Sequence, residues 1–390
     1  MHFGPLLDAG LLYLALASLV ATSVCAVLLI WSGLLMRRLA DVTVLERDAW
    51  PKVSLIAPAR NEERHIEAAV RSLVTIDYPG LEITIVNDRS TDRTGEILGR
   101  LAAEFPQLNM VTLTELPAGW LGKNHALQLG ADRSRGEWLL FTDADIVFEP
   151  SALRRAITYA LTHQLDHLAA TPRTEMPGWF LQSFIVTFVV YFSLFVRLWA
   201  VRNPRSTAHV GIGAFNLVRA EVYRAVEGHR RIPLRPDDDL KLGKIIKLAG
   251  YRQDLVNAEE FLLVRWYASL GEMIRGLEKN TFSAMEYSTW FSLFSGGMSL
   301  VNNVWPFVAI WLLAGPARWV NVAIVLVLLW IAWSTGRTLK APWASALVFP
   351  LAVLLLVYIQ WRTMVLNLYH GGIHWRDTFY PLAELRANRV

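Results

Sequence analysis

Long apolar runs constrain this chain more than any other feature, because few soluble folds can bury them. Four stretches consist almost entirely of apolar residues, namely residues 11–36, 291–314, 319–335 and 343–366. A helix needs about 20 predominantly apolar residues to cross the hydrocarbon core of a bilayer. Each stretch is close to that length or longer, so the sequence predicts an integral membrane protein.

A fifth apolar stretch, residues 179–200, is ambiguous. Its only charged residue is Arg197, so length and composition alone favour another membrane span. If this stretch crossed the membrane, the residues before it and the residues after it would lie in different compartments. The motifs described below come from both sides of the stretch and must lie in the same compartment to form one site. We therefore predict an interfacial or re-entrant helix that borders the functional site.

Basic residues beside the apolar runs predict the orientation of the chain. Arg37 and Arg38 directly follow the first run, whereas a cleaved secretory signal carries its charge before the apolar core. A retained signal-anchor with its positive end in the cytosol fits better. Arg337 and Lys340, between the third and fourth runs, also favour the cytosolic side. The middle of the chain is therefore predicted to be cytosolic.

The side of the last segment, residues 370–390, stays open. Counting three spans after the middle region places this segment outside the cytosol. Arg376, Arg386 and Arg389 favour the cytosol instead, because basic residues accumulate on that side of a membrane. If the basic residues decide the matter, one of the three late apolar runs does not span.

Composition supports a membrane protein and excludes other classes. Hydrophobic residues make up 54% of the 390 residues and charged residues 18%, with a mean hydropathy of +0.32. The net charge of +4 comes from basic residues scattered along the chain, so nucleic-acid binding is not predicted. A single cysteine, Cys25, excludes an internal disulfide and a cysteine-rich metal site.

Between the first apolar run and residue 150, short strands alternate with helices. Residues 53–57, 82–86 and 138–141 have the apolar character of buried parallel strands and end in polar turns. Residues 62–74 and 91–104 have the pattern of helices, and a Ser-Thr-Asp capping cluster opens the second. This alternation predicts a doubly wound α/β domain, in which ligands bind at the carboxyl ends of the strands.

Four polar clusters, rich in acidic residues, follow the predicted strands or open later turns. They are Pro-Ala-Arg-Asn-Glu-Glu at residues 58–63, Asn-Asp-Arg-Ser-Thr-Asp at 87–92, Thr-Asp-Ala-Asp at 142–145 and Pro-Asp-Asp-Asp-Leu at 236–240. A single cluster of this kind is usually a turn or a helix cap. Several at one edge of a parallel sheet would bring like charges together, and a cation would relieve their repulsion.

Asp143 and Asp145 are the candidate metal ligands. Because they are two residues apart at a strand end, their carboxylates leave the strand on the same side. Oxygen ligands of this kind suit Mg²⁺ or Mn²⁺, and diphosphate oxygens can complete the coordination shell. The sequence therefore predicts a divalent cation that neutralises a leaving nucleotide diphosphate.

In this combination the clusters resemble the motifs of family 2 glycosyltransferases. The chain has that family's Pro-x-x-Asn-Glu opening at residues 58–62, its Asp-x-Ser-Thr-Asp turn at 88–92 and its Asp-x-Asp motif at 143–145, with a late acidic group before a Gly-Tyr pair. The resemblance covers most of residues 50–280. It implies a GT-A fold and a nucleotide-sugar donor, with a UDP-sugar favoured.

The resemblance also implies roles for residues on the donor side. Glu62 and Asp88 would border the nucleoside, while Asp143 and Asp145 would contact the diphosphate and the metal. Lys123, within Trp-Leu-Gly-Lys-Asn-His, would lie along the nucleotide sugar. A solvated lysine at a helix start fits the sequence equally well.

On the acceptor side, the resemblance points to a glycine-rich turn and to a general base. Gly211 and Gly213 resemble the turn that lines the sugar and acceptor pocket, although an ordinary tight turn would also use glycine. Alignment of the Gly-Tyr pair with the family's helix end places Asp239 at the position of the base, with Asp238 beside it as the alternative. Repulsion between neighbouring carboxylates raises a pKa and favours proton acceptance.

Arg265 and Trp266 resemble the end of the family's Gln-x-x-Arg-Trp motif and are grouped with the nucleotide-sugar site. Leu262 stands where glutamine is expected. Synthases that build long polysaccharides usually keep this motif, so its alteration disfavours processive synthesis. Arg265 is predicted to contact phosphate, and Trp266 to lie at the membrane surface.

These features together predict a metal-dependent, inverting glycosyltransferase that transfers a sugar to a membrane lipid, in a bacterial inner membrane with a cytosolic catalytic domain. Residues 1–49 would anchor the chain, residues 50–280 would form the GT-A domain, and residues 281–390 would contain the late spans and the tail. The chain most resembles hopanoid- and carotenoid-associated and ceramide glycosyltransferases. The alternatives are a polysaccharide synthase, a transporter and a non-catalytic scaffold.

Overall fold

The computed structural model of the chain describes residues 4–375 and 378–390. Arg376, whose charge bears on the side of the last segment, lies outside the described residues, as do residues 1–3 and 377. The described residues divide into two compact units. The sheet unit comprises residues 36–175, 196–266 and 383–390, and the apolar unit comprises residues 4–35, 176–195, 267–375 and 378–382.

Strands and helices alternate through the sheet unit, whereas long helices dominate the apolar unit. In chain order, the strands of the described residues are β1 (Arg37–Arg38), β2 (Val53–Ala59), β3 (Leu81–Asp88), β4 (Leu108–Leu113), β5 (Trp138–Phe141), β6 (Ile146–Phe148), β7 (His167–Thr171), β8 (Arg173–Glu175), β9 (Asn216–Arg219), β10 (Gln253–Asn257), β11 (Leu262–Arg265), β12 (Gly372–Trp375) and β13 (Thr378–Pro381). The helices are α1 (Pro5–Leu35), α2 (Ile66–Val74), α3 (Thr94–Glu104), α4 (Gly122–Arg133), α5 (Ala152–Thr162), α6 (Trp179–Val196), α7 (Leu198–Val201), α8 (Ala220–Ala225), α9 (Asp238–Leu248), α10 (Leu270–Ala284), α11 (Thr289–Asn303), α12 (Trp305–Leu312), α13 (Gly315–Thr338), α14 (Ser345–His370) and α15 (Leu382–Ala387). Two short 3-10 helices span Leu39–Asp41 and Gly228–Arg231.

An eight-stranded sheet forms the centre of the sheet unit. Its strand order is β1-β10-β7-β9-β5-β2-β3-β4, and a separate three-stranded sheet has the order β6-β11-β8. Neighbouring strands of the large sheet are parallel, except that β9 runs antiparallel to both β5 and β7. The predicted α/β fold with a mostly parallel sheet is confirmed. The carboxyl ends of β2, β3 and β5 therefore share one edge.

The alternation of side chains along the central strands builds a core on both faces of the large sheet. Leu55 and Leu140 pack in the cluster that includes residues of α2, α3 and α5. Ile56 and Leu139, one residue away on the same strands, pack with residues of α4, α8 and α9. Successive side chains of a strand point to opposite faces, so nearly every residue of these strands is apolar and buried, as in other parallel sheets.

The start of α2 differs from the sequence-based expectation. The helix was expected from residue 62 and begins at Ile66. Asn61 has a left-handed backbone with φ of 56°, and its Oδ1 accepts a hydrogen bond of 2.8 Å from the Thr91 amide. The Glu63 amide donates to Asp92 Oδ2 at 3.1 Å. These contacts between the turns that follow β2 and β3 hold residues 61–63 outside the helix.

Several helices of the apolar unit have the length and composition of membrane spans. Among the described residues, these are α1, α13, α14 and the stretch Trp179–Val201. Helices α11 and α12 together have the length and composition of one span, although they are bent by 44° at their junction. All the predicted apolar runs therefore form helices, with ends that differ from the predicted ones by a few residues.

Two of these helices, α1 and α13, run in the same direction. Leu11 and Leu12, early in α1, pack against the cluster that contains Ala317, early in α13. Ala26, late in α1, packs with Ile331, late in α13. Contacts between early residues and between late residues are possible only if the two helices are parallel.

Helix α6, the ambiguous apolar stretch, packs within the apolar unit. Val186 lies in a cluster with residues of α13 and α14, and the Ser183 hydroxyl is 2.9 Å from the Ser345 hydroxyl. The strand that precedes α6 and the helix that follows it, β8 and α7, both belong to the sheet unit. The two units thus differ from the predicted three domains, whose boundaries, like the interfacial position of α6, stay predictions.

Candidate active site

The carboxyl edge of the large sheet brings the predicted acidic residues into one region of the sheet unit. Asp88 ends β3, Asp143 follows β5, and Asp238 opens α9. A small cavity at this edge is lined by side chains of α4, β5 and α9 and by the turn before β9, with Lys123 and Asp239 among them. A parallel sheet places ligand sites at this edge.

Lys123 is held between two carboxylates. The lysine lies in the first turn of α4, and its Nζ is 2.9 Å from Asp143 Oδ1 and 3.1 Å from Asp238 Oδ1. Burial disfavours its charge, but the carboxylates of Asp143, Asp238 and Asp239 outweigh burial and raise the pKa of Lys123 well above its usual value. Lys123 is thus a partly buried cation that links the residue after β5 to α9, and its contact with a nucleotide sugar stays a prediction.

Two of the three consecutive aspartates, Asp237 and Asp238, are paired with cations. Arg235, which is fully buried, contacts Asp237 with Nε at 3.0 Å from Oδ1 and Nη2 at 3.1 Å from Oδ2. Asp238 contacts Lys123. Within the described residues the Asp239 carboxylate has no cation at ion-pair distance, and its Oδ1 accepts a hydrogen bond of 2.7 Å from the Leu240 amide.

The environment of Asp239 favours its protonated form. Burial, followed by the negative charge of Asp238, raises the pKa of Asp239 to about 7, although Lys123 acts in the opposite direction. A carboxylate with this pKa accepts a proton near neutral pH more readily than an ordinary aspartate. These properties are those expected of a general base, the role that remains predicted for Asp239.

Asp145 has the properties of a residue that needs a cation. Its Oδ1 is buried and has no hydrogen-bond partner in the described residues. Burial, with the charges of Asp143 and Glu62, raises the pKa of Asp145 to about 7. A divalent cation would satisfy this oxygen and offset the repulsion. Because the described residues contain no group of three acidic, histidine or cysteine side chains arranged around one ion, other oxygens would have to complete the coordination shell.

Asp88 lies in a tight group that the sequence analysis identified only in part. Its buried carboxylate accepts a hydrogen bond of 2.7 Å from Arg89 Nε, and Arg60 Nη1 is 3.6 Å from Oδ2. Gly122 packs against the same carboxylate, since a Cβ at this position would be 2.1 Å from Asp88 Oδ2. A side chain at position 122 would therefore displace Asp88.

Positions 211 and 213 require glycine, because other atoms of the protein lie where a side chain would begin. A Cβ on Gly211 would be 1.8 Å from the Asp239 carbonyl oxygen, and a Cβ on Gly213 would be 2.5 Å from Asp143 Oδ2. The Asp143 amide also donates a hydrogen bond of 2.8 Å to the Gly213 carbonyl. The turn that contains both glycines thus touches the candidate base on one side and the Asp-x-Asp motif on the other.

Arg265 and Trp266 are not among the residues that line the cavity. Arg265 ends β11, and the Trp266 amide donates a hydrogen bond of 3.0 Å to the carbonyl of Glu175, the last residue of β8. Glu62 lies in the turn after β2, where its amide donates to Thr94 Oγ1 at 2.8 Å, and it is close enough to Asp145 to affect the pKa of that residue. The predicted nucleotide contacts of all three residues stay predictions.

A buried polar network, which the sequence analysis missed, lies behind the site. His167 on β7 contacts Asn216 Oδ1 on β9 through Nε2 and Gln253 Nε2 on β10 through Nδ1. Asn216 Nδ2 in turn donates to the Asp239 carbonyl at 3.4 Å. Burial lowers the pKa of His167 to about 4, so the histidine is neutral and links three strands to the start of α9. Isolated polar residues in apolar strands carry no local signal of such partners.

Comparison with known proteins identifies the family of this domain. Residues 54–226 match the family model for Glycosyl transferase family 2. The chain contains a family 2 glycosyltransferase domain. The matched stretch runs from β2 to the end of α8 and includes Lys123, Asp143 and Gly213, whereas α9 and its aspartates follow it. The predicted family is therefore confirmed, on a stretch shorter than half of the chain.

Two curated relatives of the glycosyltransferase domain come from bacteria. The beta-monoglucosyldiacylglycerol synthase of Synechocystis is 38% identical over 112 residues, which are 28% of this chain and 23% of the relative. The 4,4'-diaponeurosporenoate glycosyltransferase of Staphylococcus aureus is 26% identical over 180 residues, 46% of each chain. The chain thus spans less than half the length of each of these two relatives.

A solved structure is similar over nearly the whole chain. The mannosyltransferase PcManGT from Pyrobaculum calidifontis, in complex with GDP-Man and Mn²⁺, has a TM-score of 0.55, covering 93% of this chain and 100% of its own. The two sequences are 18% identical, so the similarity concerns the fold alone. It supports the GT-A architecture of the glycosyltransferase domain.

Proposed function

We propose that this chain transfers a sugar from a nucleotide-diphosphate donor to a membrane lipid, with inversion at the anomeric carbon. The observation that carries the proposal is the convergence of Lys123, Asp143 and Asp238 with Asp239 around one cavity at the carboxyl edge of the sheet. A non-catalytic scaffold has no need to bring three carboxylates together, because like charges repel one another. The family 2 domain supports the same conclusion.

The donor would bind across the ends of β2, β3 and β5. Asp88, fixed by Arg89, and Glu62 would border the nucleoside, and Lys123 would move from its two carboxylate partners to the negative diphosphate. Asp143 and Asp145 would hold Mg²⁺ or Mn²⁺, because the unpaired buried oxygen of Asp145 fits a cation ligand. When bound, the ion would neutralise charge on the leaving nucleotide diphosphate. A UDP-sugar is the donor that we favour.

Asp239 would act as the general base. Its carboxylate takes the proton of the acceptor hydroxyl as the hydroxyl oxygen forms a bond to the anomeric carbon. The bond between that carbon and the diphosphate oxygen breaks on the opposite face, and the nucleotide diphosphate leaves. The raised pKa of Asp239 suits it to proton acceptance at neutral pH, and the turn that contains Gly211 and Gly213 would line the sugar and acceptor pocket.

The acceptor would be a lipid, and the protein an integral membrane protein of a bacterial inner membrane with a cytosolic sheet unit. Several helices have the length and composition of spans, and the name of one relative contains a diacylglycerol. Helix α6, whose flanking elements both belong to the sheet unit, would lie at the membrane interface. Trp266 would lie at the membrane surface, and Arg265 would contact phosphate.

A titration of the purified full-length chain tests the donor site. Binding of UDP-sugars and of a GDP-sugar is measured with and without Mn²⁺, for the wild type, Asp145→Ala and the exposed control Asp48→Ala. We expect metal-dependent binding by the wild type and the control, and a loss of at least tenfold in Asp145→Ala, because a cation ligand is removed. No binding of any nucleotide sugar by the wild type would refute the proposed function.

A further inference from the structure

The last eight residues of the sequence, Ala383–Val390, belong to the sheet unit although the preceding helices belong to the apolar unit. We call them the docked segment. Asn388 Oδ1 accepts a hydrogen bond of 3.0 Å from the Leu234 amide, and Asn388 Nδ2 donates one of 3.2 Å to the Arg231 carbonyl. The Val390 carbonyl accepts a hydrogen bond from Lys244 Nζ, and the Val390 side chain packs against the apolar cluster of α4, α8 and α9.

The segment that Asn388 contacts leads directly into α9 and its aspartates. Residues 231–235 begin with the last residue of the 3-10 helix Gly228–Arg231. Glu227, which precedes this helix, and Gly228, which opens it, have left-handed backbones with φ of 62° and 49°. Short 3-10 helices have poorer hydrogen-bond geometry than α-helices, and left-handed residues other than glycine are strained. Local hydrogen bonds of residues 231–235 join the Ile232 amide to the His229 carbonyl at 3.1 Å and the Arg235 amide to the Ile232 carbonyl at 3.2 Å. Contacts from distant parts of the chain add to them.

Those contacts come from two sides. Asn124, the residue after Lys123, is fully buried and donates from Nδ2 to the Ile232 and Arg235 carbonyls at 2.7 and 2.9 Å. The Leu121 amide donates to the Pro233 carbonyl at 2.8 Å. The start of α4 thus holds one side of residues 231–235, and Asn388 binds the Arg231 carbonyl and the Leu234 amide.

We propose that the docked segment positions the candidate base, with Asn388 as the positioning residue. Leu234 is only five residues before Asp239, so a shift of residues 231–235 would be transmitted to the start of α9. A displacement of about 1 Å at a reacting group can cost up to about a hundredfold in rate. The assignment rests on the proposed function, since it concerns the residue that would accept the proton.

The test compares Asn388→Ala with Arg389→Ala, a control in which the neighbouring exposed side chain is removed. For each full-length variant, hydrogen exchange of residues 228–236, donor affinity, melting temperature and kcat for lipid glycosylation are measured. We expect Asn388→Ala to increase exchange in that peptide and to lower kcat about tenfold, with donor affinity within about twofold of the wild type. Arg389→Ala should resemble the wild type in all four measurements. Asn388→Asp, which keeps the acceptor of the Leu234 amide, should recover part of the lost kcat.

The outcomes separate this inference from the proposed function. Increased exchange with lowered kcat and unchanged donor affinity supports it. If Asn388→Ala exchanges residues 228–236 no faster than the control does, docking by Asn388 is refuted. If the lowered kcat comes with an equal loss of donor affinity, or with a lower melting temperature, Asn388 has a merely structural role and the positioning role is refuted. If the wild type binds no nucleotide sugar, the proposed function and the positioning role both fall, and the exchange measurement still decides whether Asn388 docks.

Discussion

At the scale of single residues, the three neighbouring aspartates at the start of α9 differ in the cations that surround them. Asp237 is held by the buried Arg235, and Asp238 is paired with Lys123. Asp239 borders the cavity, and burial with the charge of Asp238 raises its pKa to about 7. Sequence alignment alone left Asp238 as an alternative base, and the ion pairs provide the physical reason to prefer Asp239.

Replacement of the candidate base should separate binding from chemistry. We expect Asp239→Asn to abolish transfer while leaving donor affinity within about threefold of the wild type, because the amide keeps the shape but cannot accept the proton. Since the base acts in its ionised form, wild-type kcat/KM should be full above pH 7 and fall as pH decreases through about 7. Sustained transfer by Asp239→Asn would rule out the assignment.

Gly213 should be intolerant of even the smallest side chain. In Gly213→Ala the new Cβ would lie 2.5 Å from Asp143 Oδ2, so the carboxylate must move away from Lys123. We expect metal-dependent donor affinity to fall at least tenfold. The matched control is Gly99→Ala in α3, where a Cβ meets no atom within 4 Å and should stabilise the helix by about 0.5–1 kcal/mol. Equal donor affinities in the two variants would contradict the close approach.

At the scale of strands and helices, local sequence predicted the central elements well. β2, β3 and β5 were expected within about two residues of their observed ends, because continuous apolar runs bounded by turns identify buried parallel strands. The strand β9 was not expected. It pairs antiparallel between β5 and β7, and its position depends on contacts with strands far away in sequence. The convergence of the acidic turns followed from the parallel sheet.

The residues that support the site were much harder to predict than the acidic residues themselves. Asp143 and Asp145 belong to a recognisable motif, whereas Asn216 and His167 are single polar residues in largely apolar strands, and Arg235 belongs to none of the motifs. Their roles depend on partners that lie far away in sequence, such as Gln253 for His167. Only Asn124 had a signal, since it directly follows Lys123 in the motif that the sequence analysis selected.

The network across β7, β9 and β10 makes the stability of the sheet unit dependent on pH. Burial lowers the pKa of His167 to about 4, whereas an unfolded histidine has a pKa of about 6.5. Between these values the unfolded state binds more protons, so stability falls as pH decreases, by up to about 1.4 kcal/mol per pH unit. We expect the melting temperature to fall less steeply between pH 6.5 and 4.5 in His167→Gln than in the exposed control His370→Gln. Identical slopes would contradict a buried neutral histidine.

At the scale of the whole molecule, the docked segment leads to a prediction on a question that the sequence left open. The basic residues near the end of the chain and the count of apolar runs predicted opposite sides of the membrane for residues 370–390. Asn388 and Val390 contact residues that lead into α9 or belong to it. Segments that pack together occupy one compartment, so residues 383–390 are expected on the same side as the glycosyltransferase domain.

Thiol labelling can measure this side directly. The native Cys25 is replaced by serine, and Arg389→Cys or Ala314→Cys supplies the single thiol. We expect a membrane-impermeant maleimide to label Ala314→Cys in intact spheroplasts and to label Arg389→Cys only after the membrane is opened. Labelling of Arg389→Cys in intact spheroplasts would place the docked segment outside the cytosol and contradict its packing in the sheet unit.

In the proposed membrane protein, the docked segment limits the number of membrane crossings. A chain that leaves the sheet unit after Trp266 and returns to it at Ala383 would cross the bilayer an even number of times in between. If α1 crosses toward the side of the sheet unit, as we propose, the parallel α13 would cross in the same direction, and α11 with α12 would carry the chain outward. Two crossings are then complete before α14 begins. Despite its 26 residues, α14 is therefore expected to lie along the inner leaflet without crossing it.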